Sequence, residues 1–401
     1  MGITVLVVDD SLTICQLLCA QLAELGVGTV DQCHSGEEAL AMIVAHPDKY
    51  DCVFLDLHLG GMDGLELMHQ LHNNHFSGGI VVISGLDRKI IDFTLEVVSN
   101  YNLRVLGSVP KPFDRALLSF MVRRISSYYP VHRRSDKLLP QQVVVDAIQN
   151  KQVLAYFQPK ISSVDNSLIG IECLTRLQPP QGVVSPASFI SVAENYKLID
   201  SLTAATLNVA LPAYREFCAQ IGREVKLAIN ISPLQLYETN LHATLHELLQ
   251  EHYIAVENIV LEITENHALR DDRQLKNLNR LRIHGYELSL DDYGAGYTSL
   301  RQIEKLPFNE IKLDAQLVNG IHNDKVLQTI VRSIRSITHQ LKLTLVAEGV
   351  ADSRDLLHMN DIGVDAYQGY LFCRPKPANE LVRWHKAWQK SVANINQFSA
   401  S

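Results

Sequence analysis

From Leu154 to Leu371 the sequence repeats one unit eight times, a short apolar run followed by a segment long enough for a helix. The runs are Leu154–Phe157, Leu168–Leu177, Val225–Ile229, Ile259–Ile263, Glu287–Leu290, Glu310–Leu313, Leu343–Ala347 and Ala366–Leu371. Eight such units over about 250 residues have the size and rhythm of a (β/α)₈ barrel. A shorter alternation precedes them: Thr4–Val8, a helical stretch from Leu12 to Leu25, then Asp51–Leu55, Gly79–Ile83 and Arg104–Val109. About five units ending near Ile125 predict a second α/β domain, a parallel sheet covered by helices on both faces. Between the two, Ser126–Pro140 carries Tyr-Tyr-Pro and paired arginines and lacks periodicity over its first half. The expected domains are therefore 1–125 and 141–390, joined by a linker at 126–140 and followed by a tail at 391–401.

A chain of 401 residues is longer than a single core usually supports, and 47% hydrophobic residues supply material for two. Formal net charge is −8, and basic residues cluster only as Arg123-Arg124 and Arg133-Arg134, which argues against DNA as a partner. The seven cysteines are scattered, with no C-x-x-C pair, as expected in a reducing compartment. Residues 1–10 have no basic n-region, Leu6 occupies the position where a myristoylation signal needs Ser or Thr, and no apolar run reaches the roughly 18 residues of a membrane span. A cytoplasmic protein without membrane insertion is the expectation.

In the first domain Asp9 and Asp10 end one predicted strand and Asp56 ends another. Ligands of open α/β sheets bind beyond the carboxyl ends of the strands, so these acids converge on a site suited to a hard cation. Ser84 ends the next strand and Lys111 follows the last, adding a hydroxyl and an ammonium around a carboxylate nucleophile. A strand-end Asp taken singly is more often a helix cap. The set, carried by Val-Val-Asp-Asp-Ser, Phe-Leu-Asp-Leu-His-Leu-Gly-Gly-Met-Asp-Gly and Lys-Pro-Phe, resembles the response-regulator receiver family, a flavodoxin-like fold. The resemblance implies that Asp56 is the phosphoacceptor, that Asp9 and Asp10 help hold one Mg²⁺, and that Ser84 and Lys111 contact the phosphoryl group. It also implies a cognate sensor histidine kinase. Gly60 and Ser108 depart from the family's usual Pro and aromatic switch residue.

In the barrel, polar residues gather at predicted strand ends, where such folds build active sites: Glu172, Asn230, Glu262, Asp291, Asp292, Lys312, Glu348 and Gln368. Several carboxylates buried together need counter-charge, and all-oxygen donors favour Mg²⁺ or Mn²⁺ over zinc. An Asp-Asp pair is suited to bridging two ions for in-line attack on a phosphodiester, with Lys312 orienting water and Glu348 either taking its proton or holding it through a second ligand. These residues lie in Tyr-Phe-Gln-Pro, Glu-Cys-Leu-Thr-Arg, Asn-Ile-Ser, Leu-Glu-Ile-Thr-Glu, Asp-Asp-Tyr-Gly-Ala-Gly-Tyr, Ile-Lys-Leu-Asp, Val-Ala-Glu-Gly-Val and Gln-Gly-Tyr-Leu-Phe. From about Gln141 to Trp388 the chain resembles the EAL-domain cyclic di-GMP phosphodiesterases, whose barrel is TIM-like.

That resemblance implies hydrolysis of cyclic di-GMP to linear pGpG with two Mg²⁺ or Mn²⁺ ions. Glu172, Asn230, Glu262, Asp291 and Asp292 would be ligands, Lys312 and Glu348 would handle water, and Gln158, Arg176 and Gln368 would surround the substrate. Glu265 would anchor the loop Asp292–Ser299, which leads to a surface through which the EAL domain forms homo-oligomers. Cys173 for Ala and Tyr293 for Phe are mild departures that remove no ligand. Two rivals stand beside this reading: a receptor or kinase-docking regulator that binds without cutting, and a proton-abstracting metal-and-lysine enzyme. His246-Glu247 with His252 lacks the i, i+4 spacing of a zinc-protease helix, and the segment reads as an amphipathic helix with solvated histidines.

Overall fold

The computed structural model describes residues 3–399 apart from 48, 75, 86–102, 116, 120, 123–124, 126–137, 181, 239, 265–270 and 295–302. The expected linker therefore lies mostly outside the described residues, as do Glu265 and most of the loop after Gly294. The chain forms two compact units.

The N-terminal unit is a five-stranded parallel sheet of β1 (Thr4–Val8), β2 (Thr29–Cys33), β3 (Cys52–Asp56), β4 (Gly79–Ser84) and β5 (Arg104–Pro110), in the order β2-β1-β3-β4-β5. The order reverses between β1 and β3, which places the site at the ends of those two strands. β1, β3 and β4 are central and buried almost throughout, which explains their unbroken apolar runs. β2, which the runs of the sequence did not reveal, is the edge strand: only Cys33 is buried, so its hydrophobic signal is diluted.

The second unit is a closed barrel of β6 (Val153–Ser162), β7 (Leu168–Leu177), β8 (Lys226–Asn230), β9 (Ile259–Thr264), β10 (Glu287–Tyr293), β11 (Glu310–Leu313), β12 (Thr344–Ala347) and β13 (Ala366–Tyr367). All eight predicted runs become strands, although the last shrinks to two residues. One expectation needs correcting, since β6 is antiparallel to both β7 and β13. The connection 163–167 is far too short for the crossover of a dozen or more residues that a parallel pair requires, so β6 and β7 close as a hairpin. The reversal sets Gln158 directly opposite Glu172. Helices pack outside the barrel by apolar stripes; on Lys325–Gln340, for example, Leu327, Val331, Ile334 and Thr338 are buried at three- and four-residue spacing. The segment Leu241–Glu251 is such a helix, with His246 exposed, as its pattern predicts. No helix among the described residues is long and apolar enough to cross a membrane.

Candidate metal centre and active site

At the carboxyl end of the receiver-like sheet, Asp9 and Asp56 are buried and Asp10 is exposed; their oxygens lie close enough together to hold one metal ion. Lys111 Nζ stands 2.6 Å from Asp9 Oδ2 and 2.5 Å from Asp56 Oδ2. Burial opposes its charge, but the hydrogen bonds that it donates to these two carboxylates prevail and hold the ammonium above its ordinary pKa. Ser84 is buried at the end of β4, the strand paired with β3 and Asp56. All five residues singled out in the sequence thus meet at one edge.

In the barrel the centre of the site is Lys312 on β11, which is fully buried. Its Nζ lies 2.5 Å from Glu348 Oε1, 3.0 Å from Glu262 Oε1, 3.2 Å from Asp291 Oδ1 and 3.6 Å from Glu172 Oε2. Glu172 also accepts a 2.9 Å hydrogen bond from Asn230 Nδ2 and a short one from Gln368 Nε2. Gln368 Nε2 reaches Gln158 Oε1 at 3.3 Å, and Gln158 Nε2 donates to Cys373 O at 3.0 Å. Arg176 stands at the edge of this network, its guanidinium 5.5 Å from the Tyr156 ring centre.

Asp292 joins the site by a device that alternation along a strand would forbid. Consecutive strand residues point to opposite faces, so Asp291 and Asp292 should diverge. The β10–β11 register slips between Leu290 and Tyr293, and Asp292 takes a left-handed φ of 55°. This bulge turns both carboxylates the same way, and Asp291, Asp292 and Glu348 are close enough to share one ion. Gly294 follows at φ 99°, where an added Cβ would lie 2.3 Å from Leu317 Cδ1; glycine alone satisfies both demands.

The electrostatics call for cations. Glu172, Glu262, Asp291, Asp292 and Glu348 formally carry −5 and Lys312 +1, a residual −4 that two divalent ions would cancel. Neither oxygen of Glu262 nor Asp291 Oδ1 receives a hydrogen bond, although all three atoms are buried. Glu262 Oε1 and Asp291 Oδ1 face Lys312 as ion pairs, and buried acceptors left without hydrogen bonds fit a metal-ligand role. Burial first, then the neighbouring acids, pushes the Glu262, Asp292 and Glu348 carboxyls well above the usual range; Lys312 offsets this only in part. Glu172 is the exception: burial raises it, but Lys312 and the hydrogen bonds from Asn230 and Gln368 outweigh burial and hold it low.

Two charged residues escaped the sequence reading. Asp314, quoted within Ile-Lys-Leu-Asp, adds to the upward pressure on Asp292. Lys160 is buried below the site with Nζ 2.6 Å from Glu310 Oε1. A lysine two residues after Gln158 on a largely buried strand was the available signal.

The EAL domain family model matches residues 141–375, more than half the chain, and the response regulator receiver domain model matches residues 5–123. The chain belongs to the EAL domain family. Its EAL domain is preceded by a receiver domain, an order shared with the relative that aligns along nearly its whole length. That relative is the cyclic di-GMP phosphodiesterase RocR of Pseudomonas aeruginosa, 31% identical over 392 residues, 95% of this chain and 98% of RocR. The cyclic di-GMP phosphodiesterase PdeR of Escherichia coli is 34% identical over 248 residues, 61% of this chain but 37% of PdeR. The solved PaMucR phosphodiesterase, c-di-GMP complex, matches the EAL domain with TM-score 0.57 and 31% identity, covering 60% of this chain and 98% of that one.

Proposed function

We propose that this protein is a receiver-regulated phosphodiesterase that hydrolyses cyclic di-GMP to linear pGpG. The observation that carries the reading is the gathering of five carboxylates around Lys312 at the carboxyl ends of barrel strands, formally −4 in sum. The names of the relatives, RocR and PdeR, support cyclic di-GMP as the substrate. Glu172, Asn230, Glu262, Asp291 and Asp292 would hold the ions, and Mg²⁺ or Mn²⁺ bound there would supply Lewis acidity to a phosphate ester and to water.

The chain's own residues do the rest. Lys312, locked among four carboxylates, presents a fixed positive charge where negative charge develops at phosphorus, and the surrounding barrel keeps that field unscreened. Glu348, partly open to solvent and held in place by Lys312, takes the proton of the attacking water at its carboxylate; a raised pKa suits a base working near neutrality. Gln158 and Gln368 orient Glu172, and Arg176, stacked on Tyr156, offers a guanidinium to a substrate phosphate. In the receiver, Asp56 would accept a phosphoryl group from a sensor histidine kinase, Asp9 and Asp10 would hold one Mg²⁺, and Ser84 and Lys111 would contact the new phosphate. By the same reading the EAL domain associates with a second copy of itself.

The deciding experiment is incubation of the purified full chain with cyclic di-GMP and Mg²⁺, followed by chromatography of the products. Stoichiometric pGpG is expected. Tight binding without turnover would favour the receptor reading instead.

A further inference from the structure

The chain has two tryptophans, Trp384 and Trp388, one turn apart on the helix Ala378–Ser399. Both are half-buried, with rings stacked at 5.8 Å between centroids. Trp388 meets Phe372 edge-on at 5.8 Å, and Phe372 stacks on Tyr367, the last residue of β13, at 6.0 Å. Each indole N–H has its own acceptor. Trp384 Nε1 donates to Phe372 O at 3.0 Å, and Trp388 Nε1 donates to Asn166 O in the β6–β7 hairpin at 2.8 Å.

Phe372 belongs to the turn 368–373, which carries two groups of the site. Gln368 donates to Glu172, and Cys373 O accepts from Gln158. The turn is held on its other side by Val350: Val350 N donates to Gln368 O at 3.1 Å, and Leu371 N donates to Val350 O at 3.0 Å. Gly369 lies so near that a Cβ there would stand 2.2 Å from Val350 O. The turn is thus pinned between the segment after Glu348 and the two indoles.

We propose that Trp384 and Trp388 are positioning residues for the metal centre, clamping the turn so that Gln368 and Gln158 hold Glu172 in its ligand orientation. The role of the ions rests on the phosphodiesterase reading; the clamp rests on the contacts alone. A cation that draws on Glu172 acts through Gln368 on the clamped turn, and a change in the surroundings of the indoles is the expected result. With two tryptophans in the whole chain, intrinsic emission reports that change without a label.

The test titrates Mg²⁺ into the full chain and into Trp384→Phe, Trp388→Phe and Glu172→Gln, reading emission, calorimetric Mg²⁺ affinity, thermal midpoint and hydrolysis. Glu172→Gln keeps the receiver's acids intact, so its signal subtracts their contribution. Wild-type emission should change with Mg²⁺ beyond the change in Glu172→Gln. Trp384→Phe keeps a ring but loses the N–H, and should weaken Mg²⁺ binding about three- to tenfold, the worth of one hydrogen bond, with hydrolysis recovering at saturating Mg²⁺. Unchanged affinity in folded Trp384→Phe overturns the proposal, as does a lowered thermal midpoint with unchanged affinity. Wild-type emission that matches Glu172→Gln overturns it with no tryptophan substituted at all. If Mg²⁺ behaves as expected but no pGpG forms, the phosphodiesterase reading fails and the clamp stands.

Discussion

Glu262 supplies a quantitative consequence of the crowded carboxylates. It is fully buried, its two oxygens receive no hydrogen bond, and burial followed by the charge of Glu172 drives its pKa well above the usual carboxylate range. In the metal-free fold Glu262 therefore keeps a proton that the unfolded chain releases near its ordinary pKa. Between those two values the folded state binds the extra proton, so stability is present below the unfolded pKa and falls as pH rises. One such proton gives about 1.4 kcal/mol per pH unit. Asp292 and Glu348 are shifted the same way and steepen the slope. A divalent ion reverses the demand because it needs the carboxylate, so Mg²⁺ binding expels the proton and affinity rises about tenfold per pH unit across the window.

Calorimetry of Mg²⁺ binding at about pH 6 in two buffers of different ionisation enthalpy counts the protons released. Unfolding in chelator between about pH 5 and pH 7, followed by tryptophan emission, gives the slope for the barrel, where both tryptophans lie. Glu262→Gln should abolish one proton of release and flatten the slope. A wild type that releases no proton on binding Mg²⁺, or whose metal-free barrel gains stability with rising pH, would refute the reasoning.

Glu172→Ala should lose most Mg²⁺ affinity and nearly all hydrolysis, since it removes the one shifted-down acid of the site; undiminished Mg²⁺-dependent turnover would exclude it as a ligand. Glu348→Gln should still bind cyclic di-GMP in calorimetry while hydrolysis falls at least about 100-fold, the usual loss with a general base; equal losses of binding and rate would make Glu348 a substrate-holding residue. Beryllofluoride, a phosphoryl mimic, should change wild-type hydrolysis severalfold, within the roughly 1–3 kcal/mol typical of allosteric coupling, and leave Asp56→Asn unchanged. Rates in wild type that ignore bound mimic would point to kinase sequestration as the receiver's role.

Much of this protein was legible along the chain because the relevant signals are local. Buried parallel strands must be continuously apolar, and barrel catalysis gathers polar residues at strand ends, so the runs and the acids that close them, from Glu172 to Glu348, could be read in order. Residue type pointed toward a chemistry, since oxygen donors in numbers favour a hard cation. The tertiary structure alone decided how these groups meet. It reversed β6 and so set Gln158 against Glu172, and it slipped the β10 register so that Asp291 and Asp292 face one way. It also placed Lys312 among four carboxylates and closed the turn 368–373 under two indoles some 15 residues away. Each of these is a contact between segments far apart in sequence, or a local departure from strand periodicity that only neighbouring strands impose. Composition and spacing record which groups a chain carries, whereas the pKa values and orientations of those groups arise from partners that folding supplies.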